Sequence, residues 1–178
     1  MLGVGQKFPV FHLKATVSTD LSNAFQDIAQ NSYPGKWLVI FFWPKDFTFV
    51  CPTEIIEFDH CCKDFTDANS QVLGCSIDSE FVHLAWREQH PGLKKLSFPM
   101  LSDIKRELTT QLGILDPVEG VAQRVVYLVD PEGIIRFVYA TDLKVGRNIK
   151  EILRVLAALQ TDELCPCNWQ KGEDTISV

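Results

Sequence analysis

Lys36-Trp37-Leu38-Val39-Ile40-Phe41-Phe42-Trp43, continued by Pro44-Lys45-Asp46-Phe47-Thr48-Phe49-Val50-Cys51-Pro52, is the stretch on which the fold turns. Its first half is an unbroken apolar run of strand length ended by a proline, the pattern of a strand buried on both faces and central in a sheet. Pro52 then sits where a first helical turn favours proline, and Ile55, Phe58, Cys62 and Phe65 follow at spacings of three and four. The reading is strand, short loop, helix, with Cys51 at the helix N-terminus.

Working outward, Gln71 to Ile77 reads as a second buried strand. Ser79 to Gln89 reads as a helix capped by Ser79 and ended at His90-Pro91-Gly92. Ile104, Leu108 and Leu112 form an i, i+4, i+8 stripe that Gly113 can close. Arg124 to Asp130 and Ile134 to Ala140 are β-rich runs joined by Pro131-Glu132-Gly133, a hairpin signal. A last helix, about Asn148 to Gln160, carries Ile149, Ile152, Leu153, Leu156 and Leu159 on one side. This order predicts an α/β fold: a mixed central sheet with helices on both faces, compatible with a thioredoxin-like architecture. From Thr161 the pattern stops, so we expect one domain over 1–160 and an extended tail over 161–178.

At 178 residues the chain suits one core rather than two. No apolar run approaches the roughly 20 residues of a membrane span, and the start lacks the basic-then-apolar pattern of a secretory signal, so the expected compartment is the cytoplasm. A net charge of −6 argues against nucleic-acid partners, which need clustered Lys and Arg. Six cysteines, at 51, 61, 62, 75, 165 and 167, read as mostly plain thiols, since a chain this large needs no disulfide staples. The four histidines match no common zinc spacing with them, so no metal is expected.

A thiol at a helix start faces unpaired N–H groups and the positive end of the helix dipole. An exposed helix end supplies only about 0.3–1 kcal/mol, too little to hold a thiol ionised, so a cation is needed as well. Arg124, opening a strand after Gly120-Val121-Ala122-Gln123, is the candidate. Spacing alone leaves two readings open for Cys51, nucleophile or buried structural residue. Cys62, on the apolar helical face, and Cys75, in a strand, read as core. Cys61, beside Glu57 and Asp64, reads as partly exposed. His83 is expected to pack within its helix or at a subunit contact.

The segment around Cys51 carries the pattern Pro-x-x-x-Thr-x-x-Cys, extended by Pro52-Thr53-Glu54. Asp78-Ser79-Glu80-Phe81-Val82-His83-Leu84-Ala85-Trp86, Phe98-Pro99-Met100-Leu101-Ser102-Asp103 and Val145-Gly146-Arg147 follow in order. Together they resemble the peroxiredoxin family over nearly the whole chain, and most resemble its typical two-cysteine, AhpC type. The resemblance implies a thioredoxin fold and reduction of hydrogen peroxide and organic hydroperoxides at Cys51, supported by Pro44, Thr48 and Arg124, with no cofactor. Glu54 and Arg147 resemble the family's carboxylate and arginine behind the site; the other reading is two solvated surface charges.

Cys165-Pro166-x-x-Trp169 resembles the family's resolving segment, in which the tail cysteine attacks the sulfenic acid of a partner subunit. This implies an intersubunit disulfide, a homodimer and, as a family expectation, a ring of five dimers. Cys167 makes a Cys-x-Cys pair that either relays the disulfide to a reductant or is a spectator. Thioredoxin, an AhpF-like flavoprotein and an AhpD-like dithiol protein all fit as that reductant. The loop His90-Pro91-Gly92-Leu93 departs from the Gly-Gly-Leu-Gly of overoxidation-sensitive relatives, which leads us to expect resistance to excess peroxide. Two rival functions remain: a thioredoxin-like disulfide reductase, against which the lack of Cys-x-x-Cys counts, and a chaperone or redox sensor.

Overall fold

The computed structural model describes residues 1–177. The expected central strand is β3 (Trp37–Phe42), and the sheet it anchors has seven strands: β1 (His12–Thr16), β2 (Phe25–Ala29), β3, β4 (Ser70–Ser76), β5 (Met100–Ser102), β6 (Arg124–Val129) and β7 (Ile135–Thr141). Their order is β2-β1-β5-β4-β3-β6-β7. β4 is parallel to β3 and to β5, whereas β6 is antiparallel to both β3 and β7, so the sheet is mixed as expected. Five helices pack against it: α1 (Cys51–His60), α2 (Cys62–Asp67), α3 (Glu80–Gln89), α4 (Glu107–Leu112) and α5 (Ile149–Leu159).

Strand alternation divides the core in two. Val39, Phe41 and Trp43 point to one face, where Ile55 and Phe58 of α1, Phe65 of α2 and Ile152 and Leu156 of α5 meet them. Leu38, Ile40 and Phe42 point to the other, against Leu108 and Leu112 of α4 and the N-terminal Phe8 and Phe11. Gly74 in β4 is required by the first cluster: a Cβ there would lie 2.8 Å from the Trp43 ring and 3.0 Å from Phe41. Gly113 closes α4 in the left-handed region at φ 67°.

Four expectations are corrected. β1, β2 and β5 carry no clear sequence signal and form by pairing onto the sheet edge. The helix after Cys51 is not continuous: Cys61 (φ −88°, ψ 0°) breaks it. That phase change turns Cys61 into the core at 8% exposure and leaves Cys62 half-buried, the reverse of the helical-wheel reading. Ile104 lies outside α4, which starts only after Arg106 at φ 57°, and is exposed. The tail does not run extended. Its residues 161–177 double back, closed by pairing of Leu164 with Ile176 and anchored by Trp169, which is 3% exposed.

No described helix is long and apolar enough to cross a membrane.

Candidate active site

Cys51 is the first residue of α1, with Val50 as N-cap and no side-chain capping bond. Pro52 has no N–H, and those of Thr53 and Glu54 donate to the Val50 carbonyl at 3.1 and 3.4 Å, so what the helix start offers the sulfur is the positive end of its dipole. Cys51 is wholly buried, and Pro44, which follows β3, is buried too.

Two side chains converge on its sulfur. Thr48 Oγ1 lies 2.9 Å from Sγ and also 2.9 Å from the Lys45 carbonyl. One hydroxyl proton cannot serve both acceptors. With a neutral thiol the S–H donates to Oγ1 while the hydroxyl donates to Lys45; with a thiolate the hydroxyl must turn to Sγ. Arg124 Nη1 is 3.4 Å from Sγ. It opens β6, whose antiparallel register on β3 carries it to the end of the sheet where β3 runs out toward Cys51.

Glu54, one turn into α1, aims that guanidinium. Its Oε2 accepts from Arg124 Nη1 at 2.7 Å and from Arg147 Nη2 at 3.0 Å. Its Oε1 accepts from Arg147 Nε at 2.7 Å and from the Arg147 backbone N–H at 2.9 Å. Arg124 Nε donates to the Leu143 carbonyl and Arg147 Nη1 to the Val125 carbonyl, so both arginines are fixed on two sides. All three side chains are at most 4% exposed. The surface-charge reading of Glu54 and Arg147 is thus excluded, and the Arg124–Cys51 contact sits in a rigid, dehydrated cluster.

A second network, which sequence reasoning missed, holds the loop that carries Pro44 and Thr48. Asp46 accepts from Trp43 Nε1 at 2.8 Å, and its other oxygen lies 2.6 Å from His83 Nδ1, while its backbone N–H donates to Asp78. His83 Nε2 lies 3.1 Å from the Leu101 carbonyl. Both ring nitrogens face oxygens. Burial opposes a charge on His83, but Asp46, in charge and in hydrogen bonding, outweighs it and lifts His83 above its ordinary value, while burial lifts Asp46 against the pull of His83, so the two titrate as a pair. His83 is wholly buried in the chain, and its ring is held by Asp46 of the loop and Leu101 of β5 rather than within its own helix as expected. Nothing local could signal its partner 37 residues away.

The other cysteines lie in contrasting surroundings. Burial pushes the Cys75 thiol well above its usual value, with Asp103 adding to it. Burial also raises Cys61, followed by the charges of Glu57 and Asp64, and raises Cys62, followed by Asp59. Lys150 pulls Cys61 down, the smallest of these influences, and none of the three has a cation in hydrogen-bond contact with its sulfur as Cys51 has Arg124.

Cys165, half-buried, and exposed Cys167 line a cleft of about 1370 Å³ together with Trp37, Asp130 and α5. Trp37 begins β3, and Cys51 follows its far end. The tail thiols of a chain thus sit at the opposite end of the sheet from that chain's Cys51, a strand length of about 17–20 Å away. Among the described residues no cluster of His, Cys, Asp and Glu could hold a metal ion.

Residues 4–138 match the family described as AhpC/TSA. Alkyl hydroperoxide reductase C of Mycobacterium tuberculosis is 54% identical, over 100% of this chain and 95% of the relative. Peroxiredoxin-2 of Macaca fascicularis is 43% identical over 97% of this chain and 89% of the relative. Among solved structures, Mycobacterium tuberculosis AhpC superimposes with a TM-score of 0.87 at 53% identity, covering 96% of this chain and 99% of that one. Plasmodium vivax 2-Cys peroxiredoxin, reduced, gives 0.91 at 35% identity, covering 98% and 93%.

Proposed function

From the premise that this chain belongs to the AhpC/TSA family and is a thiol-dependent peroxidase of the two-cysteine type, we propose that Cys51 is the sulfur that reduces hydrogen peroxide and organic hydroperoxides. The observation that carries this is the approach of Thr48 Oγ1 and Arg124 Nη1 to one buried sulfur at a helix start.

The thiolate attacks one peroxide oxygen in line with the O–O bond. A sulfur–oxygen bond forms, the O–O bond breaks, and the departing oxygen leaves as hydroxide or alkoxide and gains a proton. Arg124 stabilises negative charge as it moves from sulfur to that oxygen. Thr48 fixes the approach, and Pro44 keeps water from competing. Glu54 and Arg147 act through Arg124, holding it in place.

The sulfenic acid formed at Cys51 is resolved by Cys165 of a partner subunit. What supports a partner's thiol is the separation of Cys165 from its own Cys51, which lie at opposite ends of the sheet. On this reading residues 1–160 form the peroxidase unit and 161–178 the resolving tail of a homodimer, with a ring of five dimers as the family's larger assembly. An external dithiol reductant, whether thioredoxin, an AhpF-like flavoprotein or an AhpD-like protein, returns the disulfide to thiols. The exposure of Cys167 suits it to pass that disulfide on. The free state of all six cysteines is in keeping with a cytoplasmic location.

The test is Cys51→Ser together with mass spectrometry after one equivalent of peroxide. The variant should fold and consume no peroxide, and the wild type should yield a Cys51–Cys165 link between chains. Peroxide turnover retained in Cys51→Ser would refute the assignment.

A further inference from the structure

Phe47 stands between Asp46 and Thr48 with its backbone in the left-handed region, at φ 55°. A bulky aromatic residue there is an outlier that persists only where its surroundings hold it. The Thr48 hydroxyl closes back across this kink onto the Lys45 carbonyl at 2.9 Å, and it meets the Cys51 sulfur at the same distance. Where that hydroxyl points therefore depends on the backbone at Phe47.

One face of α3 holds the kink. His83 and Trp86, one turn apart on that helix, lie on the same side of it. The His83 ring lies 5.6 Å from the Trp43 ring, and its Nδ1 is 2.6 Å from Asp46 Oδ2. The buried Trp86 ring lies 5.9 Å from that of Phe47. Asp46 is pinned from two further directions, by the Trp43 indole N–H at Oδ1 and through its own backbone N–H to Asp78, a carboxylate that Ser76 Oγ steadies at 2.8 Å. The side chains of His83 and Asp46 are 0% and 1% exposed, so solvent weakens their contact little. Asp46 and Phe47 are thus both fixed on α3, and Thr48 is the next residue along.

Resting on the reading of Cys51 as the sulfur that attacks peroxide, we propose that His83, paired with Asp46, is a positioning residue for that attack: the pair holds the kink at Phe47 and so aims the Thr48 hydroxyl at the Cys51 sulfur. Asp46 and the Leu101 carbonyl take up both ring nitrogens of His83. None is left to offer a peroxide, so His83 acts through Thr48 and exchanges no proton with the substrate. A pair that served the fold alone would lower stability without any special link to Thr48.

The experiment is a double-mutant cycle on the rate of Cys51 oxidation by the first peroxide equivalent, comparing wild type, His83→Gln, Thr48→Val and the double variant below the melting temperature of all four. Loss of one charge-assisted hydrogen bond corresponds to roughly tenfold in the population of the aimed loop. His83→Gln should therefore slow oxidation about tenfold when Thr48 is present. In the Thr48→Val background the same change should cost less than about twofold, because the hydroxyl it aims is gone. Asp46→Asn, which keeps an acceptor for Trp43 but loses the charge, should show the same coupling and carries the test if His83→Gln does not fold. Equal slowing in both backgrounds would overturn the proposal, since the loss would not pass through Thr48. A wild-type rate in both His83→Gln and Asp46→Asn would overturn it too. Either result leaves Cys51 as the reacting sulfur, whereas turnover retained in Cys51→Ser would remove that reading and the positioning role with it.

Discussion

Replacing Glu54 with Gln is the sharpest probe of how the site is held together. The change is nearly isosteric, but it removes the charge that neutralises two guanidinium groups in a region at most 4% exposed. It also turns an amide N–H toward donors, because all four bonds at the native carboxylate are accepted ones. Removing one partner of a buried ion pair costs about 3–5 kcal/mol, chiefly because the remaining charge is left uncompensated. For a chain of this size each kcal/mol moves the melting temperature by roughly 2–4 °C, so the expected fall is about 6–20 °C. Calorimetry and urea unfolding would measure it.

If the cost lies in orphaned arginines, removing one should recover part of it, so Glu54→Gln/Arg147→Met should be less unstable than the sum of the two single variants by about 0.5–3 kcal/mol. Glu54→Gln should also slow peroxide consumption, since Arg124 loses the 2.7 Å bond that aims it at the sulfur. Strict additivity in the cycle, or a melting temperature unchanged in Glu54→Gln, would refute the account of the cluster.

Thr48→Val should slow oxidation of Cys51 by at least about tenfold while Thr48→Ser stays near wild type, because only the hydroxyl meets the sulfur; equal rates in stopped-flow single turnover would remove Thr48 from the chemistry. In the folded, reduced protein, exposed Cys167 should take up iodoacetamide first and Cys75, fully buried with its thiol pushed well above the usual value, only on unfolding. Mass spectrometry showing early label on Cys75 would contradict the core as described. His83 is raised by Asp46, so its stabilising contribution is complete below its unfolded value of about 6.5 and is lost as pH rises through the higher folded value. The melting temperature of wild type relative to His83→Gln should therefore decline across that window, and a difference that is flat with pH would reject the coupling of His83 to Asp46.

Some of this was written in single segments. The apolar run of β3 and the proline after Cys51 are local signals, and both the strand and the helix start lie where those signals put them. β5 is three residues long and β1 only five, so neither carries a period long enough to read; their pairing partners make them strands. Cys61 and Cys62 exchanged places because a helical wheel assumes an unbroken helix, and the backbone leaves helical angles at Cys61, although Phe65 beyond it still faces the core. Asp46 and His83 were legible as residues but not as a pair.

The sequence by itself determined which sulfur opens a helix, which residue types stand near it along the chain, and the alternation that buries one strand on both faces. These are properties of neighbours, and neighbours are what a sequence records. The tertiary structure alone decided that Arg124 reaches that sulfur, that Glu54 grips Arg147 across 93 positions of chain, and that the tail thiols rest at the far end of the sheet. Each depends on strand register and helix docking. Those are settled by how two faces of a sheet fill with side chains, a sum over many distant contacts that no single stretch contains.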